Sequence, residues 1–133
     1  MKRIVLDASA LMTFFENRSG ADKVEELLHL AVAGKRQLLM SVVNWGEVYY
    51  SVWRIKGPGV AHKILEDIAQ LPIALVPADL ELTRSAAELR ASHKLPYLDC
   101  FPAALALQRK ASVATADRDF SALDKKIDLL WTT

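Results

Sequence analysis

The sequence predicts an α/β domain: a mainly parallel sheet with helices on both faces. Short β-branched runs alternate with helix-length segments along the whole chain. Each helical crossover returns the chain to the same sheet edge, which makes neighbouring strands parallel. The 133 residues are 52% apolar, enough for one packed core and too few for a second. A single domain over residues 1–133 is therefore expected, without internal repeat, linker or low-complexity stretch.

Arg3–Leu6 reads as the first strand, feeding a helix over Ala8–Glu16 in which Leu11, Met12 and Phe15 share one face. Ser19-Gly20 breaks that helix. Periodicity resumes over Ala21–Ala33 through Val24, Leu27, Leu28 and Ala31, and Gly34 is placed to follow the helix end. Gln37–Ser41 is the second strand. From Val42 to Lys56 the residues Trp45, Val48, Tyr49, Val52 and Ile55 mark a wide apolar helix face, which Gly57-Pro58-Gly59 ends before a further helix over Val60–Leu71. Ile73–Val76, between two prolines, is the third strand, and Leu82, Ala86 and Leu89 define the helix after it. Cys100–Lys110 is the most apolar helix. Ser112–Thr115 is a strand, Phe120–Leu123 a helical turn, and Asp128–Trp131 the closing strand.

Seventeen basic residues against sixteen acidic ones leave a net charge of +1, so no global positive field draws in nucleic acid. The single cysteine, Cys100, excludes an internal disulfide and a cysteine zinc site, and among apolar neighbours it reads as a packing residue. Asp7 interrupts the apolar start and no apolar run approaches the ~20 residues of a membrane span. A cytoplasmic protein is expected. His29, His62 and His93 are scattered, which disfavours histidine-based catalysis.

Ligand sites of open parallel sheets form outside the carboxyl ends of the strands. Asp7 directly follows the first strand, and Asp117 follows Thr115 by one residue. Each also has a structural reading, Asp7 as a helix N-cap and Asp117 as a turn residue. Asp99 heads the apolar helix, where capping and metal ligation are compatible roles. Glu47 is a lone acid on the Val42–Lys56 helix, either turned inward or solvated beside Ser51 and Arg54. Two carboxylates about 4 Å apart repel by about 4 kcal/mol at an effective dielectric of about 20, so a cluster of such acids needs protons or a cation. An all-oxygen donor set selects Mg²⁺ or Mn²⁺ over zinc.

Four stretches carry a resemblance: Ile4-Val5-Leu6-Asp7-Ala8-Ser9-Ala10-Leu11, Asn44-Trp45-Gly46-Glu47-Val48, Leu95-Pro96-Tyr97-Leu98-Asp99-Cys100-Phe101 and Ala114-Thr115-Ala116-Asp117-Arg118-Asp119-Phe120. In order and setting they resemble the acidic motifs of PIN-domain ribonucleases, and more narrowly the VapC-type toxins of toxin–antitoxin pairs. The resemblance implies a three-layer α/β/α sandwich and a Mg²⁺- or Mn²⁺-dependent endoribonuclease. It implies Asp7, Glu47, Asp99 and Asp117 as catalytic, metal-holding acids, supported by Ser9, Thr115 and Asp119. RNA as substrate and a cognate antitoxin protein as partner follow from it. Leu98 and Cys100, where small residues are usual, and Pro102 depart from the family pattern. The wide aromatic face from Trp45 to Trp53 adds the expectation of a homodimer and of a bound antitoxin segment.

A dehalogenase-like phosphatase would place a second acid where this chain has Ser9, and a receiver domain would need a lysine near Thr115-Ala116-Asp117. Neither is expected. The alternative that stays open is a PIN-like RNA- or protein-binding module with its acids unused for chemistry. Arg18, Arg54 and Arg118 are the candidate RNA-gripping side chains.

Overall fold

A computed structural model describes residues 1–133. In chain order the elements are β1 (Lys2–Leu6), α1 (Ala8–Phe15), α2 (Ala21–Val32), β2 (Arg36–Ser41), α3 (Val42–Ala69), β3 (Ile73–Val76), α4 (Leu80–Ser92), α5 (Tyr97–Arg109), β4 (Ser112–Thr115), a 3-10 helix (Arg118–Leu123) and β5 (Leu129–Trp131). The five strands form one sheet in the order β3-β2-β1-β4-β5, and every neighbouring pair is parallel.

Alternation along the central strands sorts the core into two layers. Ile4, Leu6, Leu38 and Met40 face α1, α2 and α3, whereas Val5, Leu39 and Val113 face α4 and α5. Because both faces are covered, the inner parts of β1, β2 and β4, residues 4–6, 38–40 and 113–114, are consecutive apolar residues rather than alternating ones. The result is the expected three-layer α/β/α sandwich. No helix is long and apolar enough to cross a membrane.

The chain builds the sheet outward from β1 in one direction, through β2 and β3, and then returns to place β4 and β5 on the other side. The switch lies between β1 and β4. Their crossovers run on opposite faces, which leaves a crevice at their carboxyl ends.

Apart from shifts of one or two residues at other element ends, three differences from the sequence expectation have an identifiable local cause. The helix expected from Cys100 begins at Tyr97, with Pro96 at the cap and no capping side chain. Asp99 is therefore the third helical residue and not a cap. The two helices expected around Gly57 nearly fuse, since Gly57 alone leaves helical geometry (φ 85°, ψ 170°) and Pro58 begins the second leg. A left-handed φ of that kind suits glycine. The turn expected from Phe120 begins two residues earlier, at Arg118, because Asp117 caps it. Gly20 is a packing requirement as well as a break. A Cβ there would lie 2.3 Å from the Thr132 carbonyl oxygen, so only glycine lets the start of α2 meet the chain beyond β5.

Candidate active site

Asp7 directly follows β1 at the switch point and is 2% exposed. It caps α1, its Oδ1 accepting from the Ala10 amide at 2.9 Å. The same oxygen accepts from the Ser9 hydroxyl at 2.8 Å, and the Thr115 hydroxyl donates to Oδ2. Those hydroxyls in turn accept from the chain leaving β4: Ser9 Oγ from the Ala116 amide and Thr115 Oγ1 from the Asp117 amide, both at 2.9 Å. Asp7 thus fastens the end of β1 to the end of β4. Burial pushes its carboxyl up to about 6 against the three donors that lower it, and the Asp117 charge adds to the rise.

The Asp117 carboxylate accepts from the Asp119 amide at 2.9 Å, which starts the 3-10 helix and turns both acids to one side. Asp99 comes to them from the first turn of α5. Oxygens of Asp99, Asp117 and Asp119 all lie within 4.8 Å of one another. Burial, followed by the Asp117 charge, pushes the Asp99 carboxyl up to about 8, and the charges of Asp7 and Glu47 act in the same direction. No basic side chain offsets them.

Glu47 is half-buried on α3, not turned to solvent with Arg54. Its carboxyl is raised by burial first, and also by the Asp117 charge. Asn44 holds it: Nδ2 donates to Glu47 Oε1 at 3.2 Å and to the Leu98 carbonyl at 3.0 Å. That carbonyl is open because the residue four positions on is Pro102, which has no N–H to return to it. The departure Pro102 therefore has a local use: it frees an acceptor that ties α5 to α3 beside Glu47. Sequence reading missed Asn44, which is fully buried. A buried amide one helical turn before an acid was the available signal.

All four principal acids gather at one sheet edge, with Asp119 beside them. The tightest group is Asp99, Asp117 and Asp119, so Asp119, expected only as support, stands as close as any, while Asp7 and Glu47 join through their charges. Of the three arginines expected to grip RNA, Arg18 is paired with Glu16 and Arg54 is exposed on α3. Arg118 lies over the Trp131 ring at 4.1 Å and donates to the Thr133 carbonyl at 2.6 Å.

The donor set suits a hard divalent cation. Octahedral Mg²⁺ with oxygens at about 2.1 Å places adjacent ligands roughly 3 Å apart, so the three carboxylates, within 4.8 Å of one another, need close in by no more than about 2 Å. Asp7 uses three of its roughly four acceptor positions on protein donors, which leaves one. Five raised or clustered carboxylates without a basic partner are also what a cation would relieve.

A parallel α/β sandwich with acids converging at the switch point defines a class of proteins that place a divalent metal at the carboxyl edge of the sheet. Residues 4–126 match the PIN domain, and the chain belongs to that family. Solved structures agree in fold. The VapBC2 complex of Rickettsia felis, bound to a promoter DNA fragment, superposes with a TM-score of 0.78 at 16% identity, covering 97% of this chain and 98% of that one. DNA-bound VapBC of Salmonella typhimurium gives 0.73 at 17%, over 100% of both chains. VapC20 of Mycobacterium tuberculosis, a sarcin-ricin loop cleaving toxin, gives 0.71 at 16%, over 90% and 93%. No curated protein matches the sequence.

Proposed function

We propose that this protein is a Mg²⁺- or Mn²⁺-dependent endoribonuclease of the VapC type, the toxin of a toxin–antitoxin pair. The observation that carries the reading is the gathering of Asp7, Glu47, Asp99, Asp117 and Asp119, drawn from four separate segments, at one edge with no basic side chain among them. Acids that merely capped helices would not need to meet. Asp99 has no cap to make, and Asp7 caps α1 with only one of its oxygens.

Asp99, Asp117 and Asp119, with the free position of Asp7, would hold the metal. When bound, the ion supplies Lewis acidity toward a phosphodiester and lowers the pKa of a coordinated water. The chain's own residues do the rest. Ser9 and Thr115 fix both oxygens of Asp7, so that carboxylate is oriented before any ligand arrives. Asn44 holds Glu47 Oε1 and leaves Oε2 to accept a proton, a task for which a raised carboxyl pKa is suited. No side-chain nucleophile is required, and Cys100, fully buried with its thiol toward the Leu95 carbonyl, is a packing residue.

The partner reading draws on a second region. Met12, Phe15, Val52, Ile55, Val60 and Ile64 line an apolar groove between α1 and α3, with Glu16 and Lys56 at its rim. Ile55 is 74% exposed, and Tyr50 and Trp53 stand partly in solvent nearby. Such a surface suits an apolar antitoxin segment or a second copy of the chain.

Asp7→Asn tests the enzyme. Asparagine keeps the size and can still cap α1. RNA cleavage at saturating Mg²⁺ is expected to fall by at least about 100-fold, while thermal unfolding in chelator is unchanged or shifted upward. Wild-type cleavage by the variant would sink the assignment. Cleavage lost only through unfolding would be resolved by Asp99→Asn, whose side chain caps nothing.

A further inference from the structure

The opposite edge of the sheet is basic. Because β2, β1 and β4 are adjacent and parallel, their starts bring together Lys35 and Arg36, Lys2 and Arg3, and Arg109 and Lys110. Lys2 pairs in register with Arg36. The Arg3 guanidinium bridges the three strands, donating to Gln37 Oε1 at 3.2 Å and to the Arg109 carbonyl at 3.0 Å. Lys2, Arg3, Lys35 and Lys110 are exposed. None of the six cations is in an ion pair, since the pairs of the molecule lie at Arg18, His29 and Lys63. Asp128 is the one acid lining the two shallow depressions at this edge, and its carboxylate is taken by the Ser112 hydroxyl at 2.6 Å. A chain of net charge +1 has thus put acids at one end of its strands and unpaired cations at the other.

We propose that this amino edge is a second contact surface for RNA, gripping the sugar–phosphate backbone of a segment other than the one at the acids. The proposal rests on the RNA reading above and extends it to the shape of the substrate. Strand starts about 4.8 Å apart present one pair of cations each, a row suited to successive phosphates. No exposed aromatic side chain stands among them, which disfavours both base stacking and the aromatic anchor of a protein interface. The contact is therefore with the backbone and carries no sequence preference. β1 has five residues, so about 17 Å separates the two edges. An RNA reaching both needs at least five or six stacked nucleotides at about 3.4 Å each. Folded RNA meets that condition, and a tetranucleotide does not.

The test is a triple variant, Lys2→Gln, Lys35→Gln and Lys110→Asn, at exposed positions; asparagine tolerates the left-handed φ of 54° at Lys110. Binding of a labelled hairpin of about 20 nucleotides is followed by fluorescence anisotropy in chelator, between about 50 and 200 mM salt. The hairpin is expected to bind about tenfold or more weakly at low salt, with a slope of log K against log salt smaller by about 2. The melting temperature should not change, because none of the three side chains is in an ion pair. An unchanged slope for the hairpin overturns the proposal, as does an equal loss when three exposed cations elsewhere, Lys56, Arg84 and Lys94, are replaced by glutamine instead, which would mean a diffuse field rather than a site. A DNA hairpin of the same sequence presents the same phosphates and should weaken by a similar factor, so a loss confined to RNA would overturn the assignment of the contact to phosphates. Because binding is read without metal or cleavage, a protein that keeps this behaviour and never cuts RNA would refute the nuclease and leave the surface standing.

Discussion

The two ends of β1, β2 and β4 differ in how they hold charge. At the carboxyl edge Asp7 and Asp99 are drawn inward, 2% and 8% exposed, while Asp117 is half-buried and Asp119 exposed, and hydroxyls and backbone amides fix Asp7 and Asp117. At the amino edge four of six cations stand in water, and only Arg3 and Arg36 make side-chain hydrogen bonds, mostly to backbone carbonyls. Buried like charges store electrostatic strain and occupy fixed positions, as chemistry at a defined atom requires. Solvated charges store little strain and attract over a distance set by salt. Under the two proposals the same strands would support a reaction at one end and capture at the other.

The sharpest way to break this contrast is pH. Folding holds the Asp99 and Asp7 carboxyls up to about 8 and about 6. The unfolded chain releases those protons near pH 4. Between about pH 4 and pH 8 the folded state binds more protons, so metal-free stability falls as pH rises through that window and levels off above it. The melting temperature in chelator should drop by about 10 °C or more from these groups. Saturating Mn²⁺ should remove the fall, because a cation favours the ionised carboxylates, and Asp99→Asn should flatten it without metal. A melting temperature that rises across the window in chelator would show that the acids are not strained.

A smaller effect isolates the fastening of Asp7. Thr115→Val keeps shape and removes the hydroxyl that donates to Asp7 and accepts from the Asp117 amide. Denaturant unfolding should show a loss of about 1–2 kcal/mol, since two buried polar groups lose a partner. The Asp7 carboxyl, without that donor, should titrate higher still. Unchanged stability together with an unchanged Asp7 titration would leave the hydroxyl without a role.

The smallest effect concerns Pro102. Pro102→Ala restores an N–H that reaches for the Leu98 carbonyl now shared with Asn44. A carbonyl has two lone pairs and accepts both, so cleavage should change by no more than roughly threefold. A loss beyond tenfold in a folded variant would mean that the proline positions Glu47 through Asn44.

Much of the fold was legible because its causes are local. Strand and helix follow from the spacing of apolar side chains, the break at Gly57 from a conformation few other residues accept, and the parallel sheet from the alternation of elements, whereas the contact that requires Gly20 comes from remote Thr132. The start of α5 was misplaced because Pro96 supplies a helix entry without any capping side chain, so Asp99 resembled a cap. Glu47 had two readings for a comparable reason. Periodicity identifies a helix face but not its neighbour, and the neighbour here is the Leu98 carbonyl of α5, met through Asn44.

By itself the sequence determined the elements, their order and the identities of the acids, since each depends on residues within a few positions of one another. Tertiary structure alone decided which charges meet. Asp7, Glu47, Asp99, Asp117 and Asp119 share an edge only because β4 returns beside β1, and strand order is set by how the helices cover both faces of the sheet. That return also gathers Lys2, Arg3, Lys35, Arg36, Arg109 and Lys110, which no window of sequence joins. Coulomb energy depends on distance through space, and distance through space between remote residues is fixed by packing rather than by local propensity.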